Sequence, residues 1–294
     1  MTLSLYLAVY LAQAAAGPSS ASPSAPPTPP PPIVVGPLVM PPPLPVVPSI
    51  VGPASEHRRA LARELADIAL ASAKNTNNDR FLDSFLNSME RQDDNIAAME
   101  AAFPGMKLAI RGAIKPIIEE AQVGIWPLYR DDLAALYLGT LTENELEGIV
   151  VAFSAPAFQK FFAGVAKAND YGSTGQRISA EGDIQSRDVA RDLRIATIKS
   201  VMALTPEERE QVSAFGNSAV GQKMTALSSQ KLEIDARWMN YSTPELERRV
   251  ETAVVDAMVS HVGKTDPKAA EAIQRGIEKA LKERDTVRPV APNT

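Results

Sequence analysis

A short segment occurs twice in this chain and restricts the architectures it can adopt. The sequence LTENE at residues 141–145 recurs, much altered, as LTPEE at 204–208. A Gln-Lys pair follows each copy at the same offset, at residues 159–160 and at 222–223. A repeated segment of this kind is one supersecondary unit that buries its apolar face against a neighbour. The repeat therefore indicates architecture rather than chemistry.

Each copy begins with a helix-start signal. Thr142 and Glu145 stand three residues apart, as do Thr205 and Glu208. In this spacing the threonine hydroxyl accepts from the third amide of the helix, and the glutamate accepts from the amide of the threonine. Pro206 suits the first helical position, where its missing N–H does no harm. We predict that both threonines are helix N-caps.

A second start signal follows about three turns later in each copy, so that each copy predicts a helical hairpin. Ser154 with Pro156 provides this signal in the first copy, and Asn217 or Ser218 provides it in the second. Helices this short are marginal alone in water and depend on packing. We expect two related hairpins near residues 141–165 and 204–230. Their aromatic residues are predicted to be core, and these are Phe153, Phe158, Phe161, Phe162 and Phe215.

The beginning of the chain is typical of a targeting segment. Residues 3–16 form an apolar stretch that ends in small residues suited to cleavage. The stretch is too short for a comfortable membrane span, which needs ~20 residues. We predict that residues 1–16 are a signal peptide. The alternative is an uncleaved N-terminal anchor, since no Lys or Arg precedes the apolar stretch.

Residues 17–54 hold fifteen of the chain's 24 prolines. Proline at this density favours extended polyproline II structure, so we expect a disordered Pro-rich linker. We place an α-helical domain at 55–284 and a disordered tail at 285–294. The length suits one domain, or two small ones that share a core.

Within the helical region we predict several breaks. Pro104 and Gly105 mark a turn, Pro116 bends or restarts a helix, and Trp126 with Pro127 begins another. The glycine-containing stretch 169–185 predicts an exposed loop. No alternating β-branched run persists beyond four or five residues. The fold class is therefore all-α, a multi-helix bundle with two related helical hairpins, preceded by a disordered Pro-rich segment.

The charge and cysteine content argue against several functional classes. The net charge is −5, and the pairs Arg58-Arg59 and Arg248-Arg249 are typical of solvated helix faces. A nucleic-acid-binding protein would have a basic face, so we expect no nucleic-acid partner. The chain has no cysteine, which removes disulfides and thiolate metal sites.

The first copy resembles a bacterial family known as domain of unknown function 2059. The resemblance rests on the LTENE start, Phe153, the Ala155-Pro156 step and Gln159-Lys160, and it covers about 60 residues around 129–168. The second copy is similar at 204–224. Ala155 departs from the serine usual in the family, and the second copy lacks the proline. The resemblance implies an α-helical, exported envelope protein, and it brings no catalytic residues.

Carboxylate chemistry is the main enzyme hypothesis. Glu119 and Glu120 follow an apolar run, and a buried glutamate with a raised pKa would suit a general acid acting on cell-wall glycan. Burial at the floor of a cleft would favour the enzyme, and exposure would favour a scaffold. Asp131 and Asp132 are predicted to be first-turn acids of the helix after Pro127.

Other sites have weaker support in the sequence. His57 and His261 lack a ligand-spaced companion, and we interpret them as surface or helix-end residues. A lipid or apolar-ligand carrier would need a cavity lined by Trp126 and the phenylalanines at 158, 161 and 162. We assign no catalytic residue, metal site or cofactor.

The most consistent interpretation is a periplasmic or secreted interaction or scaffolding module. It would have an envelope protein partner and no stable transmembrane span. The alternative is the carboxylate-dependent hydrolase. The identity of the partner and the oligomeric state do not follow from the sequence.

Overall fold

The computed structural model describes residues 54–74, 78–180 and 182–287, and every regular element in these ranges is a helix. The predicted signal peptide and most of the Pro-rich segment lie outside the described residues. The helices are α1 (Glu56–Lys74), α2 (Asn78–Gln92), α3 (Asp94–Ala102), α4 (Met106–Thr140), α5 (Glu143–Ser154), α6 (Pro156–Ala168), α7 (Gly172–Ser179), α8 (Ser186–Met202), α9 (Pro206–Asn217), α10 (Ala219–Met239), α11 (Pro244–Gly263) and α12 (Pro267–Val287). The all-α prediction is confirmed.

The described chain divides into two units. The hairpin unit contains residues 54–88 and 118–241, and the terminal unit contains 89–117 and 242–287. Helices α2 and α4 each contribute residues to both units. The last helix extends to Val287, beyond the predicted domain end at residue 284.

Both predicted capping boxes are present. The Glu145 amide donates to Thr142 Oγ1 at 3.3 Å, and the Thr142 amide donates to Glu145 Oε2 at 2.9 Å. The second copy repeats this exchange between Thr205 and Glu208, at 3.2 and 2.8 Å. The local sequence thus begins α5 and α9 in the same way, as the repeat predicts.

The second start signals differ between the copies. Ser218 is the N-cap of α10, and its Oγ accepts from the Gly221 amide at 3.0 Å. In the first copy the N-cap of α6 is Ala155, one residue beyond the predicted Ser154, and it makes no side-chain capping bond. Pro156 occupies the first turn there, so a fixed φ rather than a cap helps to begin the helix.

A lysine of each hairpin forms an ion pair with the capping glutamate of the other hairpin. Lys160, in the Gln-Lys pair of the first hairpin, lies 2.7 Å from Glu208 Oε2 of the second. Lys223, in the Gln-Lys pair of the second, lies 2.5 Å from Glu145 Oε1 of the first. Each capping glutamate therefore serves its own helix and also the neighbouring hairpin.

An aromatic cluster lies between the hairpins. The ring of Phe153 lies 5.4 Å from that of Phe215, and Phe158 lies 5.3 Å from both. Phe158 is buried, and Phe153 and Phe215 are half-buried against the main core. The central aromatic residue of each copy thus packs against its counterpart.

The core of the hairpin unit joins α1, α4, α5 and α10. Its largest fully buried side chains are Leu65, Leu70, Leu133, Tyr137, Leu141, Leu146, Ile149 and Ile234. Leu141 and Leu146, both fully buried, stand at the positions of a hydrophobic staple across the cap of α5.

A polar group lies within this core. Tyr129 donates to Asp235, and Lys231 lies 2.7 Å from Asp235 Oδ2. Burial raises the pKa of Tyr129, and the negative charge of Asp235 raises it further. The tyrosine therefore stays protonated and keeps its hydrogen bond to the aspartate.

The predicted start of a new helix at Trp126 and Pro127 is wrong, and Pro116 does not restart a helix. Pro116 and Pro127 both lie inside one helix from Met106 to Thr140. Each proline removes a hydrogen bond to the carbonyl four residues earlier, which belongs to Gly112 or Val123. Both of these residues are exposed, so water can satisfy the carbonyls and the helix continues.

The predicted interpretation of Asp131 and Asp132 is wrong for the same reason, since they lie in the middle of α4. Asp132 accepts from Trp238 Nε1 at 2.7 Å and pairs with Arg237. It therefore joins α4 to α10 rather than complementing a helix N-terminus.

The predicted exposed loop at 169–185 is also wrong, because it contains α7. This helix begins after Tyr171, whose φ of 54° is left-handed and whose side chain provides no cap. Asp192 of α8 provides it instead. Its carboxylate accepts from the Ser173 amide at 2.8 Å, and from the Thr174 amide and hydroxyl at 2.9 and 2.8 Å.

The pair Arg58-Arg59 is only half solvated, so that prediction needs correction. Arg58 is 4% exposed and donates Nε to the Leu141 carbonyl at 3.0 Å. It also donates to the Leu138 carbonyl. These carbonyls lie in the last turn of α4 and just beyond it, where the helix itself supplies no donors, so a buried arginine satisfies them. Arg59 is exposed, as predicted.

The terminal unit has a small core of its own. Val262 of α11 packs with Ala270, Ile273 and Ile277 of α12. The predicted turn at Pro104 and Gly105 is confirmed, with a glycine φ of 90° that L side chains rarely adopt. His261, near the end of α11, lies 3.1 Å from the Pro104 carbonyl.

The ion pairs between these lysines and the capping glutamates predict how stability changes with pH. Burial raises the pKa of Glu145, but hydrogen bonds from Lys223 and Thr142 outweigh burial and lower it below its ordinary value. Hydrogen bonds from Lys160 and Thr205 lower the pKa of Glu208. A lowered folded-state pKa adds stability above the ordinary glutamate pKa, and this stability is lost as pH falls through the folded-state values.

We therefore expect a variant with Lys160→Met and Lys223→Met to lose less stability on acidification than the natural chain. The measurement is urea unfolding by tryptophan emission at neutral and acidic pH. Lys167 and Lys199 are exposed lysines of the same unit without an ion pair to a described residue, so Lys167→Met with Lys199→Met is the control. Parallel pH curves for the two double variants would contradict the expectation.

Candidate functional site

An open groove of about 920 Å³ runs between α1 and α6 in the hairpin unit. Its apolar lining comes from Phe162, Ile68 and four alanines, at positions 60, 71, 163 and 166. These alanines leave room beside the backbones of the two helices. This geometry accommodates an elongated apolar stripe.

Charged side chains of both signs also line the groove. Arg63, Glu64 and Asp67 come from α1, Arg80 comes from α2, and Lys167 comes from α6. The five formal charges nearly cancel, so the groove does not select a strongly charged ligand by its field alone. It offers separate donors and acceptors to a ligand that carries both signs.

The walls of the groove are fixed by packing. Helix α1 packs against both helices of the first hairpin, and Arg58 connects its beginning to the end of α4. Helix α6 packs closely on α8, where Gly164 faces Ser200 and the Ser200 hydroxyl donates to the Phe161 carbonyl at 2.7 Å. A Cβ at position 164 would lie 2.3 Å from Ser200 Oγ, so the close approach of these helices requires glycine.

The groove brings together few of the side chains that the sequence suggested for a ligand site. Phe162 lines it, whereas Phe158 belongs to the aromatic cluster and the ring of Phe161 lies 5.5 Å from Phe162. Trp126 stacks at 5.9 Å on Tyr129. The cavity expected of an apolar-ligand carrier, with all four residues in its lining, is not what this groove presents.

The glutamates of the hydrolase hypothesis lie elsewhere. Glu119 and Glu120 are exposed on α4, and neither lines the groove. Among the described residues, no group of three or more His, Cys, Asp or Glu side chains is placed to hold a metal ion. His57 is exposed on α1, and His261 is half-buried near the end of α11, as predicted.

The groove is not among the predictions made from the sequence, although a signal for it exists there. Positions 60, 63, 64, 67 and 71 nevertheless recur at helical spacing. Positions 159, 162, 163, 166 and 167 do so on α6. A second stripe of alanine and charged residues on each of two packed helices is the pattern that such a groove requires.

Within the described ranges, no single helix is long and apolar enough to cross a membrane. The segments Glu143–Ser154 and Pro156–Ser179, the second of which contains α6 and α7, are together long and apolar enough for a span. They are bent by 73° relative to each other.

Comparison of the chain with protein-family models, with curated proteins and with solved structures finds no match.

Proposed function

We propose that this protein is an exported interaction module of the cell envelope, and that the groove between α1 and α6 binds a helical segment of a partner protein. The observation that supports this proposal is the composition of the groove. It combines an apolar stripe of alanines and Phe162 with charges of both signs along the same two helices.

An amphipathic helix is the ligand that best matches this composition. Such a helix presents apolar residues at i, i+3, i+4 and i+7, and it fits a groove between two helices. Its flanking residues would meet Arg63 and Arg80 with carboxylates and Asp67 with a basic group. Small residues along the groove allow the backbones to approach closely.

The proposed location outside the cytoplasm rests on the sequence. The apolar stretch at 3–16, the Pro-rich residues 17–54 and the resemblance to domain of unknown function 2059 all support it. These segments lie largely outside the described residues, so export remains a prediction. Fractionation of cells into cytoplasm and envelope would test it.

Photo-crosslinking from the groove tests the binding proposal. Ala163 lines the groove and is exposed, and Ala226 is an exposed alanine of α10 that does not line it. A photoreactive residue at position 163 is expected to yield one discrete protein adduct in intact envelopes, and the same residue at 226 is not.

Substitution provides the second arm of the test. Ala163→Arg, without the photoreactive residue, is expected to lower co-purification of the cross-linked protein with this chain at least tenfold. The reason is that a long charged side chain fills the apolar stripe. Ala226→Arg is expected to leave recovery unchanged. Equal adducts from both positions, or full recovery with Ala163→Arg, would contradict the proposal.

A further inference from the structure

The outward face of α8 carries positive charge without acidic partners. Its cations recur at helical spacing and are exposed, namely Arg187, Arg191, Arg194 and Lys199. None of the four makes an ion pair with a residue of the described ranges. In a chain whose net charge is −5, this face is a local basic surface.

Both acidic residues of α8 already accept hydrogen bonds from other parts of the fold. Asp192 is buried and caps α7. Asp188 accepts from the Gln185 amide at 3.0 Å and lies 3.9 Å from Arg177. Each carboxylate therefore satisfies a specific structural donor, and neither forms an ion pair with the exposed cations of α8.

Large apolar side chains lie among these cations. Ile195 is 41% exposed, Ile198 is 52% exposed and Met202 is 74% exposed. Their spacing of three and four residues places them along one side of the helix. Exposure of three large apolar residues in a single row is a feature of interaction surfaces rather than of ordinary solvated helices.

We propose that this face of α8, the basic apolar face, binds an anionic lipid surface. A helix that presents both cations and apolar side chains can lie in the plane of the membrane interface. Its apolar residues then enter the boundary between headgroups and acyl chains, and its cations contact lipid phosphates. The face is the outward side of a single helix, and a flat lipid surface can meet all of it at once.

An acidic protein segment is the competing ligand for this chemistry. Charge alone would suit it as well, but an acidic segment would also need apolar side chains of its own at matching spacing to cover Ile195, Ile198 and Met202. A lipid interface covers the row and the cations together, so the observations favour it.

Vesicle binding of the full chain tests the proposal. We expect stronger co-sedimentation with phosphatidylcholine vesicles that contain phosphatidylglycerol than with phosphatidylcholine alone. Residues 1–55 contain no Lys, Arg, Asp or Glu, so side-chain charge in the N-terminal segment cannot produce this difference. Replacement of chloride by inorganic phosphate at equal ionic strength is expected to leave binding unchanged, which distinguishes a lipid surface from a free phosphate site.

Matched variants locate the effect. Arg191→Gln with Arg194→Gln is expected to weaken binding to the anionic vesicles roughly 30-fold, since each basic residue near such a surface contributes about fivefold. Ile198→Asp is expected to weaken it by a similar factor. Lys264→Gln with Lys268→Gln makes the same change in net charge at exposed positions of the terminal unit and should leave binding unchanged.

Unaltered far-ultraviolet circular dichroism and tryptophan emission would show that the variants remain folded. Three results would overturn the proposal. They are equal binding to the two vesicle compositions, equal losses in the α8 and control variants, and displacement of the protein by inorganic phosphate. Failure to bind either vesicle would overturn it in the same way.

Discussion

Asp192→Ala is expected to lower the free energy of unfolding of the hairpin unit by roughly 3–5 kcal/mol. The side chain is 3% exposed and accepts three hydrogen bonds, from the Ser173 amide and from the amide and hydroxyl of Thr174. Alanine would leave these donors without their acceptor, and the two donors of Thr174 are buried. Urea unfolding followed by tryptophan emission measures the loss, because Trp126 and Trp238, the two tryptophans of the chain, both lie in this unit.

Two further variants separate this effect from an ordinary loss of charge. Asp188→Ala, on the same helix, removes the half-buried carboxylate that accepts from the Gln185 amide, and should cost about 1 kcal/mol. Asp192→Asn keeps one acceptor oxygen and should fall between the two. If Asp192→Ala costs no more than Asp188→Ala, the buried aspartate contributes little to holding α7.

The role of Asp192 shows where the sequence stops being informative. Thr142 and Thr205 cap helices through groups three residues away, so a short sequence pattern contains the whole interaction. Asp192 caps α7 from a different helix, and the contact exists only because α7 and α8 pack side by side. Without that partner, the glycines near residue 172 predict a loop. The information missing from the local sequence is that α7 packs against α8.

The prolines of α4 are the opposite case, because a valid local rule predicts a helix boundary that the structure does not have. Pro116 and Pro127 each remove a helical hydrogen bond, and this normally ends or bends a helix. Here the carbonyls that lose their donors lie on the solvent side of the helix. The sequence contains the two prolines, but it does not show which side of the helix they occupy.

The Gln-Lys pairs lie between these two cases. Their repetition at a fixed offset is visible in the sequence and supports the hairpin prediction. That Lys160 and Lys223 reach the capping glutamate of the other hairpin depends on how the hairpins pack. The groove is similar, since the spacing of its residues on α1 and α6 is local and the pairing of those helices is not.

Phe158→Ala is expected to lower the free energy of unfolding of the hairpin unit by about 3–5 kcal/mol. The side chain is 6% exposed and packs against Phe153 and Phe215, with ring centroids 5.3 Å away in each case. Alanine would remove the ring that contacts both of the repeated aromatic residues. Urea unfolding by tryptophan emission is again the measurement, and Phe158→Leu, which keeps most of the volume, should cost less than about 1.5 kcal/mol.

A double-mutant cycle with Phe215→Ala then asks whether the two hairpins stabilise each other. Phe158 belongs to the first hairpin and Phe215 to the second, and their rings pack edge to face. Such a pair contributes about 0.5–1.5 kcal/mol beyond the area it buries, so the two losses should fall short of additivity by at least that amount. Strictly additive losses would mean that each aromatic residue stabilises its own hairpin alone. The ion pairs of Lys160 and Lys223 would then contribute little to stability, and the repeat would be two neighbouring hairpins that do not stabilise each other.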